Sequence, residues 1–393
     1  MLGSRNGAGA GLPDSLELRT AARICGVSTN RRSRIEIRAR GLAPAALALL
    51  TALALTACGS SSSTISTASV RSHSAALRPI GAGLRGPAGW KATVYSAGLP
   101  TVATLTFDSR GRLWAAAAGL NTHGFDGVYL IARPGARPVR VIAGLDDPLG
   151  LLWQGGTLYV ASVGRVDVFS GLRGARFTRH REIVVGPVAH GENNDLVPAA
   201  GGRLLLGITA TCDHCTPASR YSGSIVSFRT NGTGLRLYAA RIRAPFGLTY
   251  YPGTSELFVT MNQRDDLGAR TPGDWLAVVR QGENWGFPQC YGQGGSVCAG
   301  VPKPVAVLDP HAAVGSVVIV GVAAGTPTAL VSQWNVAKVQ AVALSQAGST
   351  YTGSVKPFLT GLVHPLALVL APDHSLLVGD WGTGRIYRIA RSP

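Results

Sequence analysis

The chain reads as an all-β protein, a six-bladed β-propeller, on three observations. Gly and Pro number 51 and 23 of 393 residues, which favours many short turns over long helices. Short apolar strands come in pairs joined by Gly or Asp turns and follow a period of two rather than a helical period. The same cue, an apolar strand, a turn and a second strand, recurs with Pro100, Pro148, Pro245 and Pro365 at equivalent positions. Pro100 and Pro148 stand 48 residues apart, and Pro148 and Pro245 stand 97 apart, close to twice that spacing. The chain therefore holds six copies of a unit of about 40 to 50 residues, the length of a four-stranded propeller blade. A β-sandwich is the alternative, but its strands have no need of the recurring cue.

Residues 1–57 form the first element, an export signal. Arg31, Arg32, Arg34, Arg38 and Arg40 precede a 16-residue apolar stretch from Leu42 to Ala57. At about 1.5 Å per residue this stretch is short for a bilayer core of about 30 Å. Leu55-Thr-Ala-Cys58 resembles a bacterial lipobox, in which Cys58 receives lipid, becomes the new N-terminus and ties the protein to the membrane. An uncleaved anchor with a polar stalk is the alternative, and it too leaves the following domain outside the cytoplasm. Residues 58–89, rich in Ser, Thr, Ala and Gly, read as a flexible linker, and residues 90–393 as the propeller.

Of the 37 basic and 20 acidic residues, eight and three lie in the leader, so the exported part keeps 29 and 17, an excess of +12. Only four of the basic residues are Lys, and no dense basic tract is interleaved with aromatics. This pattern argues against a nucleic-acid partner and leaves attraction to acidic ligands or anionic surfaces.

Four cysteines remain beyond Cys25 and Cys58: Cys212 and Cys215 in CDHC, and Cys290 and Cys298 in CYGQGGSVC. Export favours two local disulfides, with Cys290–Cys298 the pair expected across a Gly-rich turn. A zinc site built from all four is one alternative. A redox-active pair at Cys212 and Cys215 is another, although no strand-to-helix pattern follows CDHC.

The blades follow in order. Val102 to Phe107, the Asp108-Ser-Arg-Gly111 turn and Leu113-Trp114 make the first copy, and Gly144-Leu-Asp-Asp-Pro148 opens the second. His190-Gly-Glu-Asn-Asn-Asp-Leu-Val opens the third, and Ile242-Arg-Ala-Pro245-Phe-Gly-Leu-Thr-Tyr250 the fourth. Ser316 to Val320, Pro327 to Val331 and Val339 to Leu344 supply a degenerate fifth copy. Gly361-Leu-Val-His-Pro365 leads the sixth, which ends at Arg385-Ile-Tyr-Arg-Ile389. No G-x-G-x-x-G opens a helix, and there is no Walker sequence and no G-x-S-x-G elbow, so nicotinamide, nucleotide-hydrolysis and serine-hydrolase chemistry lose their usual supports.

The combination of GLDDPLGLLW, HGENNDLV ahead of CDHC, IRAPFGLTYYPGTSELFVTMNQRDDLG, GENWGFPQCYG and HPLALVLAPDHSLLVGDWGTGRIYRI resembles the glucose/sorbosone dehydrogenase-like family, which includes soluble quinoprotein aldose dehydrogenases. The resemblance runs from about Gly98 to Ile389. It implies a pyrroloquinoline quinone (PQQ) over the central cleft with Ca²⁺ beside it, a sugar or alcohol CH–OH donor and an external electron acceptor.

The resemblance gives His190 the role of catalytic base, and an imidazole with an ordinary pKa of about 6.5 suits that role. It places Arg243 beside the quinone, where a planar cation pairs with a carboxylate and supports developing charge. The family pattern normally continues Arg-Asn-Pro, whereas here Ala244 stands between Arg243 and Pro245.

Asp265, Asp266 and Asp274 fall in the segment where the family holds Ca²⁺, and hard oxygen ligands suit that ion. The family has two adjacent acids near 274, where this chain has Asp274 followed by Trp275. Trp285 is expected either to stack on a ligand or to fill the seam between blades. Lys338 and Arg385 are further cationic positions that could contact the cofactor, with a surface role as the alternative. The rival to an enzyme is a cell-surface propeller without catalysis that binds carbohydrate or protein.

Overall fold

The computed structural model describes residues 76–120, 124–184, 186, 191–322 and 325–392. Cys58 and His190, and with them the proposed lipid site and catalytic base, lie outside the described residues. Among the described residues no helix is long and apolar enough to cross a membrane.

Six four-stranded antiparallel sheets make the fold. Blade 1 runs from Thr104–Phe107 to Val139–Ala143, blade 2 from Gly150–Gln154 to Arg176–Ile183, and blade 3 from Asn193–Ala199 to Arg236–Ala240. Blade 4 runs from Ala244–Tyr250 to Ala306–Pro310, and blade 5 from Val314–Val320 to Thr350–Leu359. Blade 6 takes three strands, Pro365–Leu370, Leu376–Asp380 and Arg385–Arg391, from the C-terminus and its outermost strand, Trp90–Ser96, from the N-terminal side. The first strand of each blade touches the first strands of both neighbours, which closes the ring. This is the expected six-bladed propeller, with two short 3₁₀ turns as its only helical elements among the described residues.

The core follows from the alternation of the strands. Six apolar clusters each fill the seam between two successive blades, such as Phe258 and Leu276 against Val317, Ile319 and Val331 between blades 4 and 5. A seventh, with Ala103, Leu120, Leu149, Phe246, Ala313, Trp334 and Leu366, draws on five blades around the axis. Stacked faces of this kind bury apolar area without any long helix.

Two of the four recurring prolines, Pro148 and Pro245, stand two residues before a glycine, and the glycines have a structural cause. A Cβ on Gly150 would lie 2.2 Å from the Asn194 carbonyl oxygen of the next blade, and one on Gly247 would lie 2.7 Å from that of Gly315. Glycine here lets the backbones of adjacent inner strands approach, and any side chain would push them apart.

Strand structure begins inside the segment read as a linker. Arg78–Gly81 and Leu84–Gly86 form a hairpin whose Arg85 exchanges backbone hydrogen bonds with Thr360 at 3.0 Å each. Its Ile80 and Leu84 pack with Phe358 and Leu359 of blade 5 and Ala92 of the closing strand. Only two apolar side chains anchor it, which is why its sequence carries so weak a signal.

Candidate active site

In an antiparallel blade the start of the first strand, the end of the second and the start of the third share one end of the sheet. At that end of the propeller lie Glu192, Asn193, Arg243, Asn262, Gln263, Asp274 and Asp380, all buried polar residues where a core would be apolar. Buried polar groups require partners, and those partners define the site.

Arg243 immediately precedes the first strand of blade 4, with its side chain 2% exposed. Its Nη2 donates to Asp213 Oδ1 and its Nε donates to the Asp213 carbonyl at 3.2 Å. Asp213 sits in the loop closed by the Cys212–Cys215 disulfide. Its carboxylate also accepts the backbone N–H of Asp265 at 3.0 Å and of Asp266 at 2.8 Å. One carboxylate thus joins the loops of blades 3 and 4 to Arg243. Burial pushes the Asp213 carboxyl above its ordinary value against the pull of Arg243.

Of the three acids expected near Ca²⁺, two are electrostatic neighbours. Asp274 accepts the Gln263 N–H at 2.7 Å and the Val314 N–H at 3.3 Å, and burial, together with the charge of Asp265, pushes it up to about 8. Asp265 is joined to His311 Nδ1 at 3.0 Å. Asp266 is held by Arg264 through two hydrogen bonds of 2.6 Å, which keep its carboxyl down at about 2. A separate acidic group that sequence reasoning missed, Asp126, Asp146 and Asp147, places its carboxylates within 4.8 Å of one another. There Asp126 accepts the N–H of Gly119 at 2.8 Å and of Asp147 at 2.9 Å, tying blade 1 to the start of blade 2.

Trp285 is buried in the seam of blades 3 and 4, its ring centroid 6.0 Å from that of Trp275. It shares with Arg243 the lining of a cavity of ≈ 10 Å³, room for about one water. Arg243 Nη1 and Trp285 Nε1 are both buried without a hydrogen-bond partner among the described residues. Cys290, joined to Cys298 by a disulfide, lines the same cavity.

Lys338, at the start of the third strand of blade 5, pairs with Asp309 on the outermost strand of blade 4 at 2.8 Å. Arg385 is exposed at the start of the third strand of blade 6, in register with Asp380.

A second histidine at the same end carried no signal beyond standing before Pro365. His364 stacks on Trp334 with ring centroids 4.0 Å apart, and Trp381 closes the group at 5.6 Å from Trp334. The Trp334 carbonyl lies 3.0 Å from His364 Nδ1, so Nδ1 carries a proton and donates to it. Asp380 fixes the segment by accepting the N–H of His364 at 2.8 Å and of Val363 at 3.0 Å.

Asp195 links the first strands of blades 3 and 4 by accepting the Leu196 N–H at 2.9 Å and the Leu248 N–H at 3.1 Å. Burial pushes this carboxyl up to about 7. A carboxyl raised on folding holds its proton more tightly in the native state. Its contribution is therefore complete below its unfolded value of about 3.9 and is lost as pH rises through the folded value. Thermal melts between pH 5 and pH 8 should show the native protein losing ground to Asp195→Asn as pH rises. A melting difference independent of pH would contradict the assignment.

No protein-family model and no curated protein matches the chain. Solved structures do match in fold. A Trichoderma reesei enzyme of carbohydrate-active family AA12 aligns at 18% identity and TM-score 0.66, over 79% of this chain and 98% of its own. The PQQ domain of Coprinopsis cinerea pyranose dehydrogenase in its holo form aligns at 16% and 0.64, over 78% and 97%. The PQQ-bound aldose sugar dehydrogenase of Streptomyces coelicolor aligns at 17% and 0.61, over 77% and 99%. The chain is a six-bladed β-propeller that resembles, in fold and at low identity, the PQQ-dependent glucose, sorbosone and aldose dehydrogenases.

Proposed function

We propose that the chain is an exported PQQ-dependent oxidoreductase acting on the CH–OH group of an aldose or related alcohol, with Ca²⁺ as the second cofactor. The observation that carries this reading is the charge gathered at one end of the propeller, where Arg243 keeps an Nη1 unpartnered among the described residues and burial, together with the charge of Asp265, raises Asp274. A polyanionic quinone suits a buried guanidinium with a free donor. A divalent cation suits two neighbouring carboxylates of which one, Asp274, is buried and raised by the charge of the other. The donor chemistry suits both groups, and the cavity of ≈ 10 Å³ beside Arg243 has to widen for a quinone to reach Nη1. When bound, the quinone supplies a two-electron acceptor and Ca²⁺ polarises it.

The chain's own residues have separate tasks. His190 takes the hydroxyl proton of the substrate at an imidazole nitrogen. Arg243 holds an acidic group of the cofactor and stabilises negative charge, oriented by Asp213. Asp265, Asp266 and Asp274 provide the acidic environment of Ca²⁺, while Trp285, Lys338 and Arg385 are further candidate cofactor contacts. Electrons leave to an external acceptor. Cys58 anchors the exported chain to the membrane by lipid, and two disulfides suit an oxidising compartment.

One pair of observations favours a binding propeller without catalysis. Arg243 is already paired with Asp213, and Ala244 offers no side-chain donor where the family has Asn. Protein reconstituted with PQQ and Ca²⁺ should reduce an artificial dye when supplied with aldoses. Dye reduction that does not depend on the sugar would leave the binding reading.

A further inference from the structure

The end of the propeller opposite Arg243 carries an open groove of ≈ 490 Å³ between blades 3 and 4, a volume typical of small-molecule sites. Its lining includes Arg203, Arg236, Tyr238, Tyr250, Ser227 and Gln281. Arg203 is held rigid: Nε donates to Ser227 Oγ at 2.7 Å, and Nη2 donates to the carbonyls of Ser227 at 2.9 Å and Gly234 at 2.6 Å. All three acceptors are neutral. Arg229 converges on the same place, since a Cβ on Gly234 would lie 3.5 Å from Arg203 Nη1 and 3.9 Å from Arg229 Nη1.

Among the described residues none of Arg203, Arg229 and Arg236 is paired with an acid. Burial and the charges of Arg236 and Arg229 together hold Arg203 below its ordinary value, the mark of cations gathered without a counter-charge. The acid whose charge reaches Tyr238, Glu283, is turned to Arg280, accepting its backbone N–H at 2.9 Å. Burial and the neighbouring Tyr238 push the Tyr250 phenol up to about 12, so it stays neutral and able to donate.

Fixed planar cations recognise carboxylate, sulfate or phosphate in a paired geometry. Tyrosine rings offer flat apolar faces with a polar tip, which suits the faces and hydroxyls of sugar rings. We infer that this groove binds an acidic saccharide, its anionic groups on Arg203 and Arg236 and its rings against Tyr238 and Tyr250. The site lies at the other end of the fold from the proposed quinone site and stands or falls independently of it.

Calorimetric titration of the whole protein with a galacturonate hexamer tests the inference, with a neutral glucose hexamer and inorganic phosphate as comparisons. The galacturonate should bind with an affinity that falls as salt is raised from about 20 to 200 mM, and the glucose hexamer should not compete. Arg236→Gln, at an exposed position, should weaken binding about tenfold or more, the loss of one charge-assisted contact, with melting unchanged. Tyr250→Ala should weaken it as well, which a bare ion site would not show. Equal affinity for the neutral hexamer, competition by millimolar phosphate as effective as the saccharide, or no binding at all would overturn the inference.

Discussion

Replacing Asp213 by Ala should destabilise the propeller by about 3–5 kcal/mol, the scale for removing one partner of a buried ion pair. The substitution leaves the guanidinium of Arg243 buried without its counter-charge. It also strips the acceptor from the backbone N–H groups of Asp265 and Asp266. Each orphaned donor carries its own desolvation penalty. Asp213→Asn keeps the shape and one acceptor but loses the charge, so its cost should fall between the native protein and Asp213→Ala. Denaturant unfolding of the three proteins would establish the order. A cost below about 1 kcal/mol for Asp213→Ala, the range of exposed pairs, would mean that the carboxylate does not join these loops.

His190→Gln should lower turnover by about 10²-fold or more, the scale for loss of positioned proton transfer, while leaving the melting transition and quinone affinity unchanged. Arg243→Ala should behave differently, weakening quinone binding as well as turnover because a charge-assisted contact is lost before any chemistry. It should also lower stability, since Asp213 is then buried unpaired. Removing Ca²⁺ with a chelator should resemble the arginine change more than the histidine change. Turnover of His190→Gln within about threefold of the native value would point to a different base, and His364, stacked on Trp334 and donating from Nδ1 to its carbonyl, is the next residue to test.

The fold was largely written in local pattern. Pro148-Leu-Gly150 and Pro245-Phe-Gly247 mark inner strands because glycine is needed where neighbouring blades meet. The closing copy falls on three strands of blade 6, and even the degenerate fifth copy falls, but for Pro327, on Val314–Val320, Thr328–Gln333 and Lys338–Ala347. The closing strand Trp90–Ser96 was harder to place, because an alternating edge strand does not say that its partner is Arg385–Arg391 at the other end of the chain. Pairing at such separation is fixed by tertiary closure rather than local preference.

The site was legible as residue types more than as partners. Arg243 was visible as a cation at the start of a blade, but its commitment to Asp213 depends on how the Cys212–Cys215 loop folds back. Lys338 stood out as one of four lysines, yet its charge goes to Asp309 of the neighbouring blade. The Trp334, His364 and Trp381 group comes from two blades, and no spacing along the chain announces it. Alternation and turns are properties of adjacent residues, whereas the ion pairs and ring stacks at the end of a propeller are made between loops distant in sequence.

The most direct measurement for the central reading is a titration of the native, unsubstituted protein with PQQ in the presence of Ca²⁺, followed by cofactor absorbance and calorimetry. A quinone site built on Arg243 at the start of blade 4 and on Asp265, Asp266 and Asp274, between and on the second and third strands of that blade, predicts saturable binding of one quinone per chain that weakens when Ca²⁺ is removed. Absence of binding at about 100 μM quinone, corresponding to less than about 5.5 kcal/mol of affinity, would contradict the oxidoreductase reading and leave a propeller that only binds.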